Sequence, residues 1–214
     1  MTTDGVVPTA AALRRRLFAV IPAAGHSRRM GRPKLLLPVQ GTTVIARLLA
    51  ALMHPAIVAR VVVLRRDDLP LRQEVERGGG WPVAPDRDPP DMRASIECGL
   101  REIEAQWSPG ADDGWLLVPG DHAQLEPATI AALIDAWIDR FPPFLVPTFA
   151  GQRGHPLLAR WSTARLVAGL PPETGLNALL ERSREETLLW PVDQIGVTLD
   201  LDTPEDYARM TARQ

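Results

Sequence analysis

Short apolar runs alternate with helical patterns along most of this chain, and this alternation limits its fold more than any other feature. Residues 17–22, 58–64 and 115–121 are apolar runs typical of buried strands. Residues 42–54 and 127–140 instead carry apolar side chains at helical spacing. Such an order predicts an α/β fold with a mostly parallel sheet covered by helices on both faces.

Three loops of this predicted fold are expected to meet at one place. Ligands of open parallel sheets bind beyond the carboxyl ends of the strands. The loops at 23–34, 86–94 and 119–124 each follow or adjoin a predicted strand, so we expect them to share that edge of the sheet. Chemistry should therefore be sought there.

The length and charge of the chain are those of one ordinary globular domain. Its 214 residues suit a single core, with a flexible leader expected over residues 1–16 and the domain over 17–214. The single cysteine, Cys98, excludes a disulfide framework, and we expect a cytoplasmic protein. A net charge of −2 gives no basic field for nucleic acid or a membrane, so an anion site must be local.

The loop after the first predicted strand holds the one lysine, Lys34, among 24 basic residues. Gly25 allows close approach of a ligand to the backbone, and Ser27 and Arg29 supply nearby donors. A lysine ammonium is a compact charge on a flexible stem and can follow a phosphate during a reaction. The loop is therefore predicted to bind phosphate, with Lys34 reaching the anion.

Neither common glycine fingerprint is present in this loop. Gly31 is followed by Arg-Pro-Lys-Leu, which does not match the P-loop, and the dinucleotide pattern G-x-G-x-x-G is missing. The missing pattern argues against an oxidoreductase that uses a dinucleotide.

The segment 23–38, AAGHSRRMGRPKLLLP, resembles the signature loop of the molybdenum cofactor cytidylyltransferase branch of the MobA-like nucleotidyltransferases. The resemblance extends over residues 17–210. It implies a single-domain, Rossmann-like three-layer sandwich of the nucleotide-diphospho-sugar transferase type, which transfers CMP from CTP to molybdopterin and releases pyrophosphate. The PAAG start at residues 22–25, in place of LAGG, resembles members that use cytidine rather than guanosine. The nucleotide-binding residues that it implies are Ala23, Ala24, Gly25, Ser27, Arg29, Lys34, Ser95 and Gly120.

Asp121 immediately follows a predicted buried strand, where a carboxylate can hold Mg²⁺ or serve as a turn residue. The resemblance favours the metal, because Asp121 matches the aspartate of the family's G-D-x-P element. Here the proline is missing, and the chain reads Gly120, Asp121, His122, Ala123. The resemblance thus implies Lys34, Arg29 and Asp121 as catalytic residues, with Mg²⁺ as cofactor and Mn²⁺ as the alternative.

The segment LDLDTPED, residues 199–206, supplies a second carboxylate. Asp200 and Asp202 are expected on one face of a strand, and Thr203 with Asp206 should cap a following helix. The segment resembles the family's C-terminal L-D-I-D-T-P-E-D element. Asp202 is the preferred second metal ligand and Asp200 the alternative.

Two further segments resemble family elements. In 86–100, Ser95 is expected close to the nucleotide, but Asp91 stands where the family has glycine, which adds negative charge near the anion site and argues against full activity. In GQRGHPLLAR, residues 151–160, the resemblance places Gly154 and His155 near the acceptor.

The implied partners are a nucleoside triphosphate and a molybdopterin-type cofactor, and a molybdoenzyme or its chaperone as recipient, without nucleic acid or membrane. Two alternatives remain open at this point. One is a guanylyltransferase or sugar-phosphate nucleotidyltransferase of the same fold. The other is a catalytically weakened protein that binds nucleotide or cofactor without converting it.

Overall fold

The computed structural model describes residues 15–171 and 174–212. Residues 1–14, most of the predicted leader, lie outside the described residues, so the proposed boundary at residue 17 stays a prediction. Within the described ranges, no helix is both long enough and apolar enough to cross a membrane.

The described residues form strands and helices in the alternating order that the sequence predicts. The strands are β1 (Leu17–Pro22), β2 (Pro38–Val39), β3 (Thr42–Thr43), β4 (Ile57–Val63), β5 (Trp81–Val83), β6 (Gly114–Leu117), β7 (Phe144–Phe149), β8 (Gln152–Arg153), β9 (Leu157–Arg160) and β10 (Thr187–Pro191). The helices are α1 (Val44–Ala51), α2 (Leu69–Arg77), α3 (Met92–Trp107), α4 (Pro127–Arg140), α5 (Ala164–Ala168), α6 (Leu176–Arg182) and α7 (Pro204–Ala212).

The main sheet has the strand order β10-β7-β9-β6-β1-β4-β5, with β8 paired to β7. Strand β1 is parallel to both of its neighbours, β4 and β6. Strand β9 runs antiparallel to β6 and to β7, and β8 runs antiparallel to β7. The prediction of a mostly parallel central sheet is confirmed.

Strand β1 shows why the sheet is the middle of three layers. Leu17, Ala19 and Ile21 enter one apolar core, together with side chains of α1 and α4. Phe18 and Val20 enter a second core on the opposite face, with side chains of α3. Since alternate residues of a strand face opposite sides, a continuous apolar run can fill both cores only when helices cover both faces.

Helix α1 and strand β6 each end several residues before their predicted ends. Helix α1 begins at Val44, capped by the Thr43 hydroxyl, and ends at Ala51, three residues before the predicted end. Strand β6 ends at Leu117, although Val118 N and Gly120 N still donate to the carbonyls of Val20 and Pro22 in β1. The chain after Leu117 therefore stays against β1 while leaving β9.

The prediction of a strand carrying Asp200 and Asp202 is wrong. Residues 195–198 form a 3₁₀ turn and residues 199–203 are irregular before α7. No described strand pairs with this segment, so the alternating pattern has no ladder to join. The predicted cap of α7 is confirmed, because Thr203 N donates to Asp206 Oδ2 at 2.8 Å and Asp206 N donates to Thr203 Oγ1 at 3.2 Å.

Candidate active site

The loop between β1 and the 3₁₀ turn at 34–36 has a run of backbone donors that are free to bind a ligand. The N–H groups of residues 24–29 donate to no acceptor within residues 15–171 and 174–212. The loop closes on itself where Gly31 N donates to the Ser27 carbonyl at 3.0 Å and Lys34 N to Ser27 Oγ at 3.3 Å. A run of free N–H groups with a cation at its end is an anion cradle.

The glycines of this loop have different tasks. Gly31 has a φ of 71°, a left-handed conformation that glycine adopts without strain. Gly25 lacks a positive φ, and a side chain there would meet nothing within 4 Å. The space beside Gly25 is therefore open to a ligand, as the sequence predicts.

Lys34 joins the first loop to two carboxylates from distant parts of the chain. Its Nζ lies 2.6 Å from Asp121 Oδ2 and 2.9 Å from Asp202 Oδ1. Arg29 contacts the other oxygen of Asp202, with Nη2 to Oδ2 at 2.7 Å. Four of the residues predicted to carry phosphate or metal, Arg29, Lys34, Asp121 and Asp202, thus meet in one cluster.

The charged residues of this cluster shift one another's pKa values. Burial alone would raise the pKa of the Asp202 carboxyl, but hydrogen bonds and charge from Lys34 and Arg29 hold that pKa below its usual range. Burial also disfavours charge on Lys34, yet the charge of Asp121 and hydrogen bonds to both carboxylates raise the pKa of Lys34. Lys34 and Asp202 are therefore charged near neutral pH.

Asp200, the alternative metal ligand, lies outside this cluster. Within the described residues it makes no ion pair with Lys34 or Arg29, and its side chain lines a separate cavity with Leu199 and Met210. Burial raises the pKa of Asp200, and the nearby charges of Asp202 and Asp121 raise it further. The geometry favours Asp202.

Two clefts border the 23–34 loop. The first cleft has a volume of about 300 Å³ and is lined from all three predicted loops, by Ala24, Gly25, Lys34, Asp91, Ser95, Gly120 and Asp121 among others. The second cleft, of about 320 Å³, is lined by the basic residues Arg28, Arg32, Lys34 and Arg65 together with Asp68 and neighbouring residues. The predicted meeting of loops 23–34, 86–94 and 119–124 is thereby found.

Comparison with known proteins matches most of this chain to a family. The description "MobA-like NTP transferase domain" fits residues 19–197. The chain belongs to the MobA-like NTP transferase family.

Individual relatives agree with this assignment. The chain is 34% identical to a molybdenum cofactor guanylyltransferase of Rhizobium meliloti, over 91% of this chain and 90% of the relative. It is 28% identical to the purine catabolism protein PucB of Bacillus subtilis, over 89% and 94%.

Solved structures share the fold over nearly their whole length. Rv0371c from Mycobacterium tuberculosis superimposes with a TM-score of 0.78 at 27% identity, over 92% of this chain and 98% of that one. A complex of Rv0371c with manganese gives a TM-score of 0.74 at 26% identity, over 93% and 100%. The three-layer nucleotidyltransferase fold is confirmed.

Two carboxylates of this MobA-like transferase suit a hard divalent cation. In the described ranges no group of three or more His, Cys, Asp or Glu side chains forms a metal site by itself. Asp121 and Asp202 nevertheless already face one cation, the Lys34 ammonium, and Asp121 Oδ1 is buried without a hydrogen-bond partner. Magnesium typically takes one or two carboxylates and completes its shell with substrate phosphate and water, so this donor set fits it.

Asp91 has a structural reason to replace the family's glycine. Its Oδ1 accepts from Ala94 N at 2.7 Å and caps α3, and Ser95 Oγ donates to the Asp91 carbonyl at 3.3 Å. Ser95 is buried in the wall of the first cleft, and its proximity to a nucleotide stays a prediction. The carboxylate of Asp91 is thus engaged at the positive end of a helix, which weakens the argument from its charge against activity.

The predicted acceptor residues lie next to the turn that carries Asp121 and are not among the residues that line either cleft. A side chain at Gly154 would come within 2.3 Å of the Val197 carbonyl oxygen, so this position requires glycine for packing. His155 packs its ring edge-on against His122, with the ring centroids 4.9 Å apart. The roles of Gly154 and His155 toward an acceptor stay predictions.

His122 occupies the turn where the family has a different residue pattern. Its side chain is buried, and Nδ1 of both His122 and His155 lacks a hydrogen-bond partner among the described residues. Burial lowers the pKa of His122. Burial and the neighbouring His122 lower the pKa of His155 to about 4.

We predict a loss of stability as the pH falls from about 6.5 to about 4. In that interval His155 becomes protonated in the unfolded chain but stays neutral in the folded protein. The free energy of unfolding therefore decreases by roughly 3 kcal/mol. Urea unfolding at several pH values in this range should show the decrease in the free energy of unfolding, and the decrease should be smaller in His155→Gln. Exposed His26 provides the matched His→Gln control, and an equally small decrease there would contradict the assignment.

Two arginines near the site were missed at the level of sequence. Arg47 Nε donates to the Ala123 carbonyl at 2.7 Å and holds the turn after Asp121. Arg65 Nη1 donates to the Gly25 carbonyl at 3.1 Å. Arg65 follows β4 at the carboxyl edge of the sheet, and that position was the available signal.

Proposed function

We propose that this protein is a Mg²⁺-dependent cytidylyltransferase that transfers CMP from CTP to the phosphate of a molybdopterin-type cofactor. The observation that carries the proposal is the cluster of Lys34, Asp121, Asp202 and Arg29 at the end of a loop with free N–H groups. A binding protein without catalysis has no need of two carboxylates held against a cation beside an anion cradle.

The reaction requires alignment and charge neutralisation more than proton transfer. An oxygen of the acceptor phosphate forms a bond to the α-phosphorus of CTP, and the bond from that phosphorus to the bridging oxygen breaks. Pyrophosphate leaves with the electron pair. Because the acceptor phosphate is already an anion, no general base is needed, and preorganised donors supply the rate enhancement.

The residues of the cluster divide this work. The N–H groups of residues 24–29 would bind the triphosphate, with Lys34 at its reacting end and Arg29 beside it. Asp121 and Asp202 would hold Mg²⁺, which neutralises phosphate charge and orients the leaving group when bound. The manganese complex of a similar fold supports a divalent cation here, with Mn²⁺ as the alternative metal.

The acceptor is proposed from relatives and resemblance together. Two molybdenum cofactor guanylyltransferases match over most of this chain, at 29% and 34% identity. The Gly154–His155 segment contacts the turn that carries Asp121 and would place the acceptor opposite the triphosphate. The finished cofactor would pass to a molybdoenzyme or its chaperone, in the cytoplasm.

The choice of CTP rests on the start of the first loop. Pro22 and Ala24 both line the first cleft, and they are the positions at which PAAG departs from the LAGG start of guanosine-using members. With the base bound in this cleft, the methyl group of Ala24 would reduce the space available to a larger base. GTP remains the second candidate because the curated molybdenum cofactor relatives are guanylyltransferases.

We predict that the double substitution Pro22→Leu, Ala24→Gly shifts the ratio of kcat/KM for CTP over GTP toward GTP by about tenfold or more, as expected for small changes in an apolar subsite. Each single variant should give part of the shift. Competition between the two nucleotides in one assay measures the ratio directly. An equal loss with both nucleotides would place these side chains outside base selection.

The proposal as a whole is tested by pyrophosphate release. Purified protein receives CTP or GTP, Mg²⁺ and molybdopterin-type cofactor, with each component omitted in turn. Release that depends on CTP and on the cofactor is the expected result. Release with GTP alone would support the guanylyltransferase, and tight nucleotide binding without release would contradict an enzyme.

A further inference from the structure

The part of the 23–34 loop nearest to β1 is held by few hydrogen bonds within the loop itself. Ala23 N is bonded to the Val63 carbonyl, and the next internal bonds of the loop involve Ser27. Among the described residues, the backbone of residues 24–26 accepts one hydrogen bond, from Arg65 Nη1 to the Gly25 carbonyl at 3.1 Å. The direction of these peptide groups therefore depends on a side chain from another loop.

This contact also decides where the next N–H points. In a trans peptide the carbonyl and the following N–H point in opposite directions. With the Gly25 carbonyl bonded to Arg65 in the second cleft, the N–H of His26 is directed away from Arg65. Without this bond the peptide between Gly25 and His26 could turn its carbonyl oxygen toward the anion, which would repel phosphate.

Arg65 is itself held in place. Its side chain is only 18% exposed, and Nη2 donates to Asp68 Oδ2 at 3.1 Å. Asp68 Oδ1 accepts from Leu71 N at 3.2 Å and caps α2. The chain of contacts thus runs from a helix start through Asp68 and Arg65 to the loop backbone.

We infer that Arg65 is a positioning residue that orients the Gly25–His26 peptide for triphosphate binding, and that Asp68 acts through it. The inference rests on the proposed function in taking triphosphate as the anion. Arg65 acts through the backbone and needs no contact with the substrate.

Four variants separate positioning from simple charge. Arg65→Ala removes the donor to Gly25. Asp68→Asn removes the less exposed of the two carboxylates that hold Arg65, while Arg65 Nε retains its contact with exposed Asp67 at 3.3 Å. The variant retains a good helix cap and takes a negative charge from the cleft. Arg66→Ala is the matched control, because Arg66 pairs at 3.2 Å with Asp86 in an exposed contact. Arg65→Lys retains the charge without the planar fork.

Binding of inorganic tripolyphosphate is measured for each variant by titration calorimetry, with the thermal midpoint as a check on folding. We expect Arg65→Ala and Asp68→Asn each to weaken binding by about tenfold, corresponding to one good hydrogen bond to an anion site. The double variant that combines Arg65→Ala with Asp68→Asn should bind tripolyphosphate no more weakly than Arg65→Ala alone. Arg65→Lys should recover part of the lost affinity, and Arg66→Ala should bind as the wild type does.

Three results would overturn the inference. Tighter binding by Asp68→Asn would show that only charge matters in this cleft, and unchanged binding by Arg65→Ala would show that the loop needs no such support. A wild-type protein that does not bind tripolyphosphate would equally refute it.

Pyrophosphate release judges the proposed function separately. The expected binding pattern without any release would leave the positioning role intact and remove the enzyme. If the wild type releases pyrophosphate and neither Arg65→Ala nor Asp68→Asn changes kcat or KM, the enzyme is supported and the positioning role is refuted.

Discussion

Replacing Lys34 by alanine is expected to lower kcat/KM for pyrophosphate release by about one to three orders of magnitude, the usual effect of removing one preorganised charge. The ammonium lies 2.6 Å from Asp121 and 2.9 Å from Asp202 and ends a run of free backbone donors. Its loss removes a positive charge from the phosphate path and leaves two carboxylates facing each other. Both consequences oppose the binding of a triphosphate.

The controls for Lys34 distinguish its position from its charge. Lys34→Arg retains the charge, but a planar guanidinium cannot take the compact place between two carboxylates, so a substantial loss should remain. Arg101→Ala removes a cation whose side chain is 77% exposed on α3 and should leave the rate unchanged. Full activity of Lys34→Ala would exclude Lys34 from the mechanism.

Asp121→Asn is expected to abolish the dependence on Mg²⁺ together with activity, with a fall in kcat of about 10²-fold or more. Asparagine has nearly the same shape but lacks the charge that a divalent cation requires. It also leaves Lys34 with Asp202 as its remaining carboxylate in the cluster. The measurement is the rate of pyrophosphate release as a function of Mg²⁺ and of Mn²⁺.

Asp200→Asn is the matched control for this prediction. Asp200 lies close enough to Asp121 and Asp202 to sense their charges, but it makes no ion pair with Lys34 or Arg29 within the described residues. We expect near wild-type metal dependence from Asp200→Asn and a loss from Asp202→Asn. The opposite order would make Asp200 the second ligand, and an active, metal-dependent Asp121→Asn would move the metal site elsewhere.

The local pattern of the chain was enough to predict the scaffold. The run 17–22 is apolar at every position, and a strand with both faces buried needs helices on both sides. Helix α4 has the predicted limits because Pro127 suits a first turn and its apolar stripe fits one face of the sheet. In contrast, the predicted strand at 199–202 failed because a ladder also requires a neighbour, which is not a property of the segment itself.

The sequence by itself determined the α/β order and the residue types of the 23–34 loop and of the cluster, because spacing and chemistry are local properties of a chain. Only the tertiary structure decided which residues meet. Lys34 is 87 positions from Asp121 and 168 from Asp202. The contact with Asp121 depends on the parallel strands β1 and β6, which end at one edge of the sheet, and the contact with Asp202 depends on where the irregular segment before α7 packs. The packing of the layers also brings Asp202, rather than Asp200, into contact with Lys34, and it brings Arg65 within hydrogen-bond distance of the Gly25 carbonyl. Distances in space depend on this packing and do not follow from spacing in the sequence.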